Sequence, residues 1–500
     1  MLGAMRYEIG FDNAMYLETQ SAHIRERIGQ FGGKLYLEFG GKLFDDNHAA
    51  RVLPGFEPDS KVKMLLTMKD QAEIVMVINA GDIDKNKVRG DLGITYDLDL
   101  LRLIDAFRGI GLYVGSVVIT HFDQHAGAEA FQRHLESLGL RVYRHYTIPN
   151  YPFDVEGIVS ETGFGRNEFV ETTRPLVVVT APGPGSGKMA TCLSQLYHEH
   201  QRGVSAGYAK FETFPVWNLP LKHPVNLAYE AATTDLNDVN MIDPFHLEAY
   251  GETTVNYNRD VEIYPLLRAI FESIYGYCPY KSPTDMGVNM AGNCIIDNDA
   301  VIHAANKEII RRWFDAACAY RKGNADKTMV QKNESIMKQA GLTPENRKVA
   351  MAAREKAQTT GEPAAAMELC DGRVITGKTS RLLGASSALL LNALKTLAGI
   401  PDEVHLISPD VIAPIQTLKV ELLGGGNPRL HTDEVLIALS VCSNTDDYAA
   451  QAMAQLPNLK HTEVHSTVIL SQVDASTFKK LGANLTCDPV YQSKKLYHRG

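Results

Sequence analysis

Cysteine is scarce and scattered: the seven in the chain stand at 192, 278, 294, 318, 370, 442 and 487, an odd number with no C-x-x-C pair. That spacing excludes a disulfide framework or a zinc ribbon as the basis of the fold, and it suits a reducing cytoplasm. Nowhere do 18 apolar residues run without interruption, and the first twenty residues, MLGAMRYEIGFDNAMYLETQ, lack a basic segment followed by an apolar one. The expectation is a cytoplasmic protein with no membrane partner. Positive charge is not in excess: 50 Lys and Arg against 59 Asp and Glu give −9, which argues against a nucleic-acid partner held by bulk charge.

What is present is ordinary globular composition, 45% hydrophobic and 22% charged, in 500 residues. That length suggests about three domains of ~150 residues. Strand-like runs KLYLEF (34–39), EIVMVINA (73–80), GSVVITHF (115–122), RVYRHY (141–146) and PLVVVTA (175–181) alternate with helix-like segments near 97–109, 126–138 and 187–201. Apolar runs joined by helices imply crossover connections and a sheet buried on both faces. Residues 1–220 therefore read as a doubly wound, mostly parallel α/β domain. Residues 221–366 read as mainly helical, with polar bridging helices from 324. Residues 367–500 read as a second α/β unit, with strands expected at EVHLIS (403–408), LKVELL (418–423) and EVHSTVIL (463–470).

Two stretches compete as phosphate loops. GRVITGKT (372–379) satisfies GxxxxGK followed by Ser or Thr, but its first glycine belongs to Asp371-Gly372, a hairpin dipeptide flanked by strand-like residues. APGPGSGKM (181–189) spells the motif poorly, with Pro182 for the first glycine and Met189 for the hydroxyl residue that would hold Mg²⁺. Its context is better. PLVVVT precedes it, Gly183, Gly185 and Gly187 form the bend, and an apolar stripe of Met189, Cys192, Leu193, Leu196 and Tyr197 marks a helix starting near Lys188. Strand, glycine loop and helix N-terminus are what a phosphate needs, with a glycine-rich packing turn as the alternative.

The continuation GYAKFETFPVWNLPLKHPVNLAYEAATTDLNDVNMIDPFHLEAYG (207–251) and SPTDMGVNM (282–290) resemble an uncharacterised bacterial family, the domain of unknown function 1846, also called uncharacterised protein family 0371. The resemblance covers nearly the whole chain. It implies soluble bacterial proteins of this length with α/β and helical subdomains, and it brings no established reaction.

Polar clusters complete the candidate site. Asp235 and Asp238 would share a face if a helix ran through TTDLNDVNMIDPFH, and with Asp243 they could offer oxygen to Mg²⁺; capping and turn formation are the competing roles. His121, Asp123 and His125 in THFDQH sit at a strand's carboxyl end, where alternation would aim all three one way toward a metal or a substrate anion, with an exposed His-rich turn as the competing role. The leading expectation is a binder of ATP, another nucleotide or a small phosphorylated metabolite, performing phosphoryl or nucleotide-driven group transfer. Gly183, Gly185, Ser186, Gly187 and Lys188 would hold the phosphate, with Lys188, Asp235 and Asp238 in catalytic roles. The alternatives are a metal-assisted hydrolase built on the HxDxH cluster and a non-catalytic phosphometabolite sensor. Two α/β units joined by solvated helices also predict a homo-oligomer.

Overall fold

The computed structural model describes residues 9–41, 43–89, 92–123 and 125–492. Seven strands form the main sheet: β1 (Leu35–Phe39), β2 (Ala72–Asn79), β3 (Tyr113–Thr120), β4 (Arg141–Arg144), β5 (Leu176–Thr180), β6 (Gly207–Phe211) and β7 (Gly287–Val288). Their order is β7-β6-β1-β5-β2-β3-β4, and every neighbouring pair is parallel. The expected doubly wound sheet is thus present.

Parallel strands covered on both faces cannot alternate polar with apolar, and the central strands β2, β3 and β5 are accordingly nearly continuous apolar runs rich in Val and Ile. In β5 the side chains of Val177, Val178 and Val179 are at most 1% exposed. Each contributes roughly 1.5–3 kcal/mol by leaving water. Four helices matter for the site: α1 (Asn13–Gln30), α2 (Tyr96–Gly109), α3 (Ala126–Ser137) and α4 (Lys188–Gln201).

The winding creates a crevice. From β2 the chain moves through α2 to β3 and through α3 to β4, outward along one half of the sheet. It then returns to β5, beside β2, and passes through α4 to β6 in the opposite direction. Since crossovers between parallel strands are right-handed, α2 and α4 lie on opposite faces. The connections leaving β5 and β2 therefore part, which is the switch point where open α/β sheets place their ligands.

The described chain forms two compact units: Ile9–Glu230 with Asn237–Ala304, and Ala231–Leu236 with the residues from Ala305 onward. The main sheet belongs to the first. Helices dominate from 224 to 360, among them α5 (Asn258–Tyr275) and α6 (Lys348–Thr360). The second unit holds a four-stranded sheet of β8 (Ala364–Glu368), β9 (Val374–Lys378), β10 (Glu463–Ser466) and β11 (Asn484–Cys487), ordered β9-β8-β10-β11. Only β10 and β11 pair in parallel. Helices α7 (Ala385–Ala398) and α8 (Thr432–Cys442) bury Leu389, Leu390, Leu394, Val435 and Leu439 in its core.

Two strand expectations fail here. EVHLIS forms no strand, and LKVELL is helical: the helix Pro409–Thr417 runs on into a π-helix at Leu418–Leu422. Short apolar runs do not distinguish helix from strand by periodicity, and the preceding helix decides the matter. Conversely, β8 begins with three alanines, which carry no strand signal yet are buried at 0–1% exposure.

Candidate functional site

β5 delivers the chain to the loop at 181–187, and α4 begins at Lys188. Gly185 and Gly187 adopt φ of +71° and +90°, left-handed conformations that a side chain would strain. Gly183 is needed for a different reason: a Cβ there would lie 2.6 Å from the Tyr96 hydroxyl at the start of α2. Neighbouring strand ends hold the loop from below. Thr120 Oγ1, ending β3, donates to the Ser186 carbonyl at 2.7 Å, and Asn79 Nδ2, ending β2, donates to that of Gly185 at 3.4 Å.

These contacts use the loop's carbonyls and leave its donors. Among the described residues, the N–H groups of Gly183, Gly185, Ser186, Gly187 and Lys188 have no protein acceptor, and no side chain caps α4. Ser186 is only 4% exposed, yet its Oγ has no hydrogen-bond partner. Lys188 is half-buried and forms no ion pair among the described residues. Unused amides, a helix N-terminus, a buried hydroxyl and an uncommitted ammonium converge on one turn, an arrangement suited to an anion. Thr191 does not replace the hydroxyl missing at Met189, because its Oγ1 donates to Gly187 O at 3.0 Å.

A charge cluster that the sequence did not reveal adjoins the first turn of α4. Met189 lines a small cavity with Lys210 of β6, Glu212 just beyond it and Asp260 of α5. Lys210 Nζ lies 2.8 Å from Glu212 Oε1 and also bonds Asp260. Burial opposes the Lys210 charge, but Asp260, Glu212 and Glu38 raise its pKa above the ordinary lysine value. Burial pushes Glu212 up to about 7 despite Lys210. Glu38 of β1 accepts from Tyr208 at 2.7 Å. The available signal was GYAKFE itself, two charged residues where a buried strand reaches its carboxyl end.

The other predicted site residues separate. β3 stops at Thr120 because His121 takes φ +51°, so the alternation expected through HxDxH is broken. His121 Nδ1 is 3.3 Å from Thr147 Oγ1, and Asp123 accepts from Thr147 N at 3.0 Å. His125 turns instead to Asp84, 2.5 Å away. Arg166 approaches Asp123 to 3.8 Å. Among the described residues, no three His, Cys, Asp or Glu side chains are grouped to hold a metal ion.

No helix runs through Asp235 and Asp238; 233–237 is a turn after the helix Pro224–Ala232. Asp235 is exposed, whereas Asp238 is buried and accepts from Arg259 Nη2 at 2.9 Å. Asp243 is fully buried and caps the helix Pro244–Tyr250, accepting from Phe245 N and His246 N while Thr284 donates to its other oxygen. At 372–379 the chain is a hairpin: Gly372 has φ +82° in the turn between β8 and β9. Gly377 is required by packing, since a Cβ would lie 2.2 Å from Leu389 N.

The architecture is that of an α/β protein with a glycine-rich strand-loop-helix turn at its switch point, and sequence comparison supplies the family. The model of the N-terminal domain of unknown function DUF1846 matches residues 9–341, and that of the corresponding C-terminal domain matches 345–497. The chain belongs to this family, whose curated members are called UPF0371 proteins. It is 59% identical to the UPF0371 protein of Corynebacterium diphtheriae over 492 residues, 98% of this chain and 99% of that one. It is 56% identical to that of Streptococcus equi subsp. zooepidemicus over 489 residues, again 98% and 99% of the two chains. No reaction comes with these names. No helix of the described residues is long and apolar enough to cross a membrane.

Proposed function

We propose that Gly183–Lys188 binds the phosphate of a nucleotide or small phosphorylated metabolite, and that phosphoryl or nucleotide-driven group transfer is the reaction class. One observation carries this reading: at the switch point, five backbone N–H groups between Gly183 and Lys188 are unused, in the same turn as the buried, partnerless Ser186 hydroxyl. A buried hydroxyl without a partner costs on the order of 1–3 kcal/mol, and a phosphate oxygen would satisfy it. Lys188 would place a point charge on the phosphate.

The residues fit Mg²⁺ poorly. Asp238 and Asp243 are committed to Arg259 and to a helix cap, Met189 has no oxygen, and Glu212 and Asp260 face Lys210. This favours, as a second reading, a sensor that binds the phosphorylated ligand without turning it over. The HxDxH hydrolase draws less support, because His125 leaves the cluster and the Arg166 guanidinium stands beside Asp123.

Calorimetry with inorganic phosphate and ATP tests the loop. Lys188→Ala removes a charge-assisted bond of about 1.5–3 kcal/mol and is expected to weaken binding about tenfold or more. Lys378→Ala, on the β9 hairpin, leaves binding unchanged. The reverse pattern would make the well-spelled motif the real one. Release of phosphate from ATP by the wild type separates enzyme from sensor.

A further inference from the structure

An open cleft of about 420 Å³ lies at the carboxyl ends of β3 and β4, lined by Phe122, Asp123, Arg144, Tyr146 and Arg166. Both arginines lie against aromatic rings: Arg144 is 4.7 Å from the Phe122 centroid and Arg166 is 4.2 Å from that of Tyr146. Stacking holds a guanidinium by its face and leaves its edge, where the donors are, free for a partner. Arg144 is further fixed by its Nε, which donates to Gln132 Oε1 at 2.9 Å. Among the described residues its terminal nitrogens have no acceptor, and Arg166 has only the 3.8 Å approach to Asp123. Among the lining side chains two guanidiniums face one carboxylate, in a chain whose overall charge is −9, and the Glu168 carboxylate outside the lining is taken up by the Arg144 backbone N–H at 2.7 Å.

The cleft adjoins the loop. Thr120, whose hydroxyl holds the Ser186 carbonyl, is two residues before Phe122. Two residues span at most about 7 Å. We infer that the cleft takes a second anionic group, a phosphate or a carboxylate, of the ligand whose phosphate sits on Gly183–Lys188. The substrate class is then a small metabolite charged at both ends. The inference rests on the proposed function of the loop, and it narrows the ligand to compounds long enough to reach from amides to arginines.

Three probes of matched size test it by calorimetry: glucose 6-phosphate, with one anionic group; fructose 1,6-bisphosphate, with two phosphates; and 6-phosphogluconate, with a phosphate and a carboxylate. In the wild type at least one of the two doubly charged probes should bind about tenfold or more tightly than glucose 6-phosphate, and the one that gains identifies the second group. Arg144→Gln and Arg166→Gln should remove that gain while keeping glucose 6-phosphate affinity. Arg166 is half exposed, so its variant is expected to fold, and circular dichroism checks both. Lys188→Ala should weaken all three probes. If the doubly charged probes bind no better than glucose 6-phosphate, the two-ended ligand is wrong, while loss of glucose 6-phosphate binding in Lys188→Ala would still uphold the loop. If the arginine variants abolish all binding and Lys188→Ala changes none, the cleft is the sole anion site and both readings fall. Failure of every probe to bind at millimolar concentration also overturns the inference.

Discussion

Gly183 has no side chain, and the Tyr96 ring occupies the space one would need: a Cβ would lie 2.6 to 2.8 Å from its hydroxyl and ring carbons. Gly183→Ala should therefore swing Tyr96 away from the loop, costing about 1–3 kcal/mol in stability by overpacking and weakening phosphate binding. Tyr96→Ala in the same chain removes the clash, so the double variant should recover stability relative to Gly183→Ala alone; strict additivity in urea titrations would refute the contact. Such residues show what a sequence conceals. Gly185, Gly187 and Lys188 were legible because strand, bend and helix follow one another in the chain. Tyr96, Thr120 and Asn79 were not, because only the sheet order brings those strand and helix ends beneath and beside the loop. The HxDxH cluster misled for a local reason, since one left-handed residue, His121, ended the alternation on which the metal geometry depended.

Among the elements, the five strand-like runs expected between 34 and 181 became strands within two residues of their expected ends, and in β2, β3 and β5 continuous β-branched burial leaves few alternatives. EVHLIS and LKVELL were short enough for their neighbours to decide. In the second unit, β10 carries a charge that its sequence gives no reason to bury. Glu463 accepts from Arg311 Nη1 at 2.8 Å and from Arg347 Nη1 at 2.6 Å, and Arg347, just before α6, also donates to the carbonyls of Val464 and Asn484. Burial alone would raise the Glu463 pKa, but Arg311 and Arg347 outweigh it and lower it to about 2 from 4.5. A depressed carboxylate contributes stability that is present above pH 4.5 and is lost as pH falls toward 2. Glu463→Gln leaves the buried Arg347 guanidinium without a carboxylate and Arg311 with Glu308 alone, 2.8 Å away, and should cost about 3–5 kcal/mol at pH 7. In urea titrations the wild type should lose stability steeply between pH 4.5 and 2, and the variant less so. Equal slopes in the two chains would show that Glu463 is not the group responsible.

At the scale of the whole molecule, alternation of strands and helices predicted a doubly wound sheet, but the return from β4 to β5 that opens the crevice cannot be read from periodicity, which does not encode strand order. Nor does it show where apolar side chains remain outside. In the second unit Leu418, Val420, Leu422 and Leu423 of the π-helical segment, with Ile437 and Val441 of α8, are 37–74% exposed. Lys419 pairs with Glu434 at 2.7 Å, tying that segment to the start of α8. Concentrated apolar exposure of this kind marks an interaction surface. The partner we expect is a second copy of the chain. In a two-fold dimer the same patch meets itself, so one apolar surface suffices to cover both. Light scattering at micromolar concentration should give a dimer or larger symmetric assembly for the wild type. Leu422→Ser with Leu423→Ser, at 74% exposure each, should shift it toward a 55.1 kDa monomer without lowering the monomer's own stability. A wild type that sediments only as a monomer would contradict self-assembly. A double variant that stays fully assembled would place the interface elsewhere on the molecule.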